Sequence, residues 1–249
     1  MDKRVAYFQE MLGAFLKGKV ALLNGAGNSI GVAIAKGLVE AGAPVYIACN
    51  KVDGDIQALS AIYEDRIKLS LCNCVEKNDM SKFVERVMRE CSKIDILVNN
   101  PSFNAPAKLE ELEDHVFYKM MDECLIGAYH ACQNVVPHMK ERQYGKIVNV
   151  SHFVAKLGGA SRGLHFNIAR GGLLSMTKEL TGELFPFNIN VNAVAPGIIQ
   201  GTDVAGQDVD MLHVPLGRVG TPDEAAAPVA FLCSDYASFI SGACIDVNG

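Results

Sequence analysis

Seven short apolar runs, separated by stretches of helix length, constrain this chain more than any other feature. They are Val20–Leu23, Val45–Ala48, Ile67–Leu71, Ile94–Val98, Lys146–Val150, Asn190–Val194 and Cys244–Val247. Near-continuous apolar strands alternating with helical patterns predict a parallel sheet covered on both faces. Ile30 to Glu40, with apolar positions at helical spacing, is the first predicted connecting helix. The predicted fold is α/β: a doubly wound Rossmann-type three-layer sandwich with a seven-stranded parallel sheet. No repeat, low-complexity tract or long linker interrupts the pattern in 249 residues, so residues 1–249 read as one domain. Residues 1–15 form an N-terminal extension. In it Val5, Phe8, Leu12 and Phe15 share one face of a predicted helix.

Composition excludes several classes. A net charge of −5 without a basic cluster argues against a nucleic-acid partner. No apolar run approaches the ~18 residues of a membrane span. Met1–Leu16 lacks the apolar core and cleavage site of a signal peptide, so the expected location is the cytoplasm. The eight cysteines lie mostly in apolar surroundings, as reduced core thiols do. Cys72 and Cys74 have no histidine nearby, and no metal site is expected.

The loop Asn24-Gly25-Ala26-Gly27-Asn28-Ser29-Ile30-Gly31 joins the first strand to its helix. Glycines at such a turn let backbone N–H groups meet a pyrophosphate. Downstream come Asn99-Asn100 and Asn149-Val150-Ser151, each ending a predicted strand, then Asn192-Ala193-Val194-Ala195-Pro196-Gly197. The tail runs Pro215-Leu216-Gly217-Arg218-x-Gly220-x-Pro222-x-Glu224 to Val247-Asn248-Gly249. In this order the landmarks resemble the short-chain dehydrogenase/reductase family, from about Leu16 to Gly249. The resemblance implies hydride transfer between NAD(P) and an alcohol or ketone. A tyrosine would pass the proton, a lysine one turn later would lower its pKa and hold the nicotinamide ribose, a serine would position the substrate oxygen, and an asparagine would support a water relay.

By that register the tyrosine and lysine fall on Phe166 and Arg170, fixed by Gly171-Gly172-Leu173 downstream. Phenylalanine has no proton to give, and arginine is a planar fork in place of a compact ammonium. The serine falls on His152; Ser151, its neighbour, would point to the other face of a strand. The asparagine falls on Cys124. No tyrosine lies between Tyr144 and Tyr236, and a longer Tyr-x6-Lys spacing would put tyrosine at Gly163. The expected cofactor contacts change too. Gly25, Ile30 and Gly31 keep the loop, but its second glycine is Ser29, the acidic ribose ligand is Cys49, the adenine aspartate is Asn73, and Asn99-Asn100 is followed by Pro101-Ser102. No catalytic or cofactor-binding residues are therefore expected in this chain.

The resemblance also implies assembly through two long helices, near 109–139 and 159–184, and through the last helix and strand. Leu125, Ile126 and Tyr129, and Leu173, Leu174 and Met176, are the apolar residues expected on the helix surfaces. The leading expectation is a non-catalytic subunit that pairs with itself and with an active homologue, in a heterotetramer whose NAD is bound by the partner. Two alternatives stand beside it: an oxidoreductase using His152 or His165 as acid–base, and a regulatory ligand-binding protein.

Overall fold

The computed structural model describes residues 15–158, 162–202 and 214–249. The predicted helix in residues 1–15 lies almost wholly outside them. The seven strands are β1 (Ala21–Asn24), β2 (Val45–Cys49), β3 (Ile67–Leu71), β4 (Ile96–Asn99), β5 (Gly145–Val150), β6 (Ile189–Pro196) and β7 (Cys244–Val247). All pair in parallel, in the order β3-β2-β1-β4-β5-β6-β7. This is the doubly wound sheet expected from the apolar runs. The order reverses between β1 and β4, where such sheets open a crevice at the carboxyl ends of the strands.

Successive strand residues point to opposite faces, and each face has its own core. Leu23, Ile47, Val98, Val148 and Val194 meet α1 (Ser29–Glu40) and the last described helix, Pro222–Leu232, on one side. Leu22, Tyr46, Leu97, Ile147 and Val191 meet α3 (Lys77–Cys91) and α5 (Gly127–Arg142) on the other. Between α1 and α3 lies α2 (Gly54–Tyr63).

The long helix expected near 109–139 is interrupted. A short turn at Leu109–Glu111 precedes α4 (Asp114–Met121), and a π-helical turn, Asp122–Ile126, joins α4 to α5. Such bulges insert one residue into the helical ladder and recur at functional sites; this one carries Cys124. After β5 come a four-residue turn, α6 (Val154–Leu157), and the long α7 (Leu164–Leu184), which begins later than the sequence predicted; the last described helix is α8 (Pro222–Leu232). Leu173, expected at the surface of α7, is fully buried, because the helix turns that position toward the sheet. Tyr129 is exposed as expected.

Candidate functional site

A row of side-chain amides runs beneath the crevice. Asn24, Asn99 and Asn149 are register neighbours on β1, β4 and β5. Asn24 Nδ2 donates to Asn99 Oδ1 (3.0 Å), Asn99 Nδ2 to Asn149 Oδ1 (2.9 Å), and Asn149 Nδ2 to Thr177 Oγ1 (2.9 Å) on α7. Asn99 is thus a buried tie between strands. Its neighbour Asn100 lines the crevice, donating to Gly25 O at 3.0 Å and to Asn28 Oδ1 at 3.2 Å.

The glycine loop is held closely by these contacts. Gly25 has φ +97°, and a Cβ there would collide with the Asn100 carbonyl; at Gly31 a Cβ would sit 2.7 Å from Ala26 Cα. Both glycines are therefore required by packing alone. At the start of α1, Asn28 Oδ1 already accepts the Gly31 N–H at 2.8 Å, an N-cap that uses one of the amides a phosphate would need. Ser29 Oγ donates to Gln200 O at 2.9 Å, tying the helix start to the chain beyond β6. Ile30 is buried and serves the core as well as the crevice wall.

Two clefts flank this loop and share Gly27, Pro101 and Ser102. The larger, about 360 Å³, holds Cys49 at the end of β2. Cys49 is buried, and burial pushes its thiol above the ordinary range, so it remains neutral. Asn50 Nδ2 donates to Glu123 Oε2 at 3.1 Å, and both residues line this cleft. Asn73 is exposed and turned aside: its Oδ1 accepts Val75 N–H at 3.3 Å. The cleft offers no acid at the end of β2 to meet ribose hydroxyls, although Asp53, Lys51 and Glu123 are near.

The smaller cleft, about 140 Å³, holds His152, Phe166 and Arg170. Phe166 is 2% exposed and packs in an apolar cluster with Met120, Cys124, Val154 and Ala169. Its ring meets His152 edge-on, centroids 5.3 Å apart. Arg170, one turn later, lies 5.1 Å from the ring centre. Its guanidinium donates to Val150 O (2.9 Å) and Pro101 O (2.7 Å), bracing the ends of β4 and β5. Ser151 Oγ donates to Arg170 O (2.8 Å) and is committed to the backbone. Cys124 is fully buried, its Sγ 3.6 Å from Phe103 O, and burial raises its pKa.

The two histidines differ. His152 lines the cleft, and burial, with Arg170 and Arg162 nearby, pushes its pKa down to about 3. It is therefore neutral near pH 7, with Nδ1 accepting Val154 N–H at 3.4 Å. His165 is fully buried, its Nε2 2.7 Å from Ala105 O, and it does not line the cleft. Proximity brings His152, Phe166 and Arg170 together; it leaves His165 and Asn73 out. The roles of Asn28 and Glu123 were not assigned from sequence. Asn three residues before a helical glycine is an N-cap signal; nothing local to Glu123 marks its partner Asn50.

Among the described residues no three His, Cys, Asp or Glu side chains are placed to hold a metal, and no helix is long and apolar enough to cross a membrane.

This sheet order, glycine turn and crevice define a Rossmann-type oxidoreductase fold, and the chain belongs to the short-chain dehydrogenase/reductase family. A family model described as Enoyl-(Acyl carrier protein) reductase matches residues 25–249. Among the relatives, 3-oxoacyl-[acyl-carrier-protein] reductase of Rickettsia felis is 33% identical over 239 residues, covering 94% of this chain and 97% of that protein. The same-named protein of Aquifex aeolicus is 33% identical over 242 residues, with the same coverage. The crystal structure of 3-ketoacyl-(acyl-carrier-protein) reductase from Brucella melitensis, complexed with NADH, superposes with a TM-score of 0.87 at 30% identity, covering 93% of this chain and 97% of that one.

Proposed function

We propose that this chain is a non-catalytic subunit of a heteromeric short-chain dehydrogenase, and that a homologous partner binds NAD and performs the hydride transfer. The observation that carries the reading is the Phe166–Arg170 pair. A phenyl ring stands where the resemblance puts the proton-passing phenol, and the guanidinium beside it is tied to two backbone carbonyls. The groove gives further support: Asn28 caps the helix start, Ser29 is bonded across to Gln200, and Cys49 stands where an acid would meet the ribose.

Apolar side chains left in solvent support an assembly role. Tyr118 and Tyr129 on α4 and α5, Leu164 and Ile168 on α7, and Tyr236 and Phe239 before β7 are all exposed. Where such side chains gather into contiguous patches they are normally covered. β7 is also an edge strand, open to pairing. A two-plus-two heterotetramer covers both sets through two-fold axes. In kind, the reading resembles the inactive subunit of the heterotetrameric 2-[hydroxy(phenyl)methyl]succinyl-CoA dehydrogenase of anaerobic toluene breakdown; no residue of this chain specifies that substrate.

A second reading follows from the relatives' names: an active 3-oxoacyl reductase. It needs a proton donor, and His152, with its pKa near 3, has no proton to supply at neutral pH. Co-expression with a short-chain dehydrogenase from the same genome that has an intact Tyr-x-x-x-Lys pair tests the two. The subunit reading expects co-purification at equal stoichiometry, with activity that survives His152→Ala in this chain. Turnover by this chain alone, or an active homologue that never co-purifies with it, would contradict the reading.

A further inference from the structure

The smaller cleft places a buried cation beside space that no acid among the described residues lines. Arg170 is 6% exposed and held by two neutral carbonyl oxygens, and its Nε has no hydrogen-bond partner among the described residues. A guanidinium stays charged whatever its surroundings, and a buried charge without a counter-charge is costly. None of the described residues lining the cleft is an aspartate or glutamate. Ile30, Val150, Phe166 and Pro196 give the cleft carbon surface beside the polar Asn28, Asn100, Ser102 and Arg162. The volume, about 140 Å³, is close to that of cavities known to hold benzene, ~150 Å³.

We infer that this cleft binds a small organic carboxylate, its charged end against Arg170 and its body, of about benzene size or less, against Phe166 and Ile30. The inference rests on the reading that the cleft performs no hydride transfer. The carboxylate supplies the missing counter-charge, and charge-assisted bonds to guanidinium are the strong class of hydrogen bond. The carbon of Ile30, Val150, Phe166 and Pro196 gives the body of an organic acid a contact that inorganic phosphate does not use.

Calorimetric titration of the full chain with benzoate, propionate, benzamide and inorganic phosphate tests this. Benzoate is expected to bind at least about tenfold more tightly than benzamide, a difference of ~1.4 kcal/mol, and more tightly than phosphate. Arg170→Met is expected to abolish binding. Because Arg170 also braces the fold, Ser102→Trp serves as a second variant: Ser102 is exposed at the cleft wall, and an indole there fills the space while leaving Arg170 intact. It is expected to remain folded and to lose benzoate binding. Absence of benzoate binding to the unaltered chain, equal affinity for benzamide or phosphate, or unchanged affinity in Ser102→Trp would each overturn the inference. NADH titrated into the same protein separates the two readings: tight NADH binding defeats the account under Proposed function, whereas the benzoate series alone decides this one.

Discussion

The guanidinium of Arg170 lies 5.1 Å from the centre of the Phe166 ring, four residues earlier on the same helix. Residues at this spacing share a helix face, so the pair is set by α7 itself. In a catalytic pair the first residue would exchange a proton and the second would hold a ribose. Here the ring packs in an apolar cluster and the cation donates to Val150 O and Pro101 O.

Restoring the chemical groups alone will not restore chemistry. Phe166→Tyr with Arg170→Lys supplies a phenol and an ammonium, but leaves the Asn28 cap, the Ser29–Gln200 bond and Cys49 in place. The expected result is no NADH consumption with a 3-oxoacyl thioester above the rate of the unaltered chain. Turnover in this double variant would mean that the dinucleotide groove works as it stands.

Arg170 also holds the molecule together. A lysine at this position has one ammonium and cannot span the carbonyls of Val150, which ends β5, and Pro101, which follows β4. Hydrogen bonds to charged groups contribute ~1.5–3 kcal/mol each, so Arg170→Lys should destabilise the fold by about 2 kcal/mol. Urea unfolding should show a lower midpoint with an unchanged slope. An unshifted midpoint would show that the brace contributes nothing.

His152 makes stability depend on pH. Its folded pKa is about 3 against an ordinary 6.5, so the unfolded chain takes up the proton first. The neutral ring's contribution is complete above pH 6.5 and is lost progressively as pH falls toward 3. The slope can reach about 1.4 kcal/mol per pH unit. His152→Gln should flatten the stability profile in that window relative to the unaltered chain. Parallel profiles would contradict the burial of a neutral imidazole.

The fold was legible because strands buried on both faces leave continuous apolar runs, and β1 to β7 fall on the runs at Val20 to Val247 within a residue or two. The register that puts Phe166, Arg170, His152 and Cys124 at site positions rests on the motif resemblance; the structure adds that the four lie close together. What the sequence hid depends on contacts between distant residues. Asn50 meets Glu123 across 73 positions, and Ser29 meets Gln200 across 171. Asn99 reads as a cleft residue until its partners on β1 and β5 are known. Leu173 reads as surface because helical periodicity does not say which face meets the sheet.

Titration of NADH, and separately NADPH, into the isolated full chain asks whether the groove around the glycine loop takes a dinucleotide. Four altered contacts, at ~1 kcal/mol or more apiece, weaken binding by about a thousandfold if they add. No saturable heat is expected at cofactor concentrations up to about 1 mM, a limit equivalent to ~4 kcal/mol of binding free energy. A dissociation constant in the micromolar range for either nucleotide would contradict this expectation.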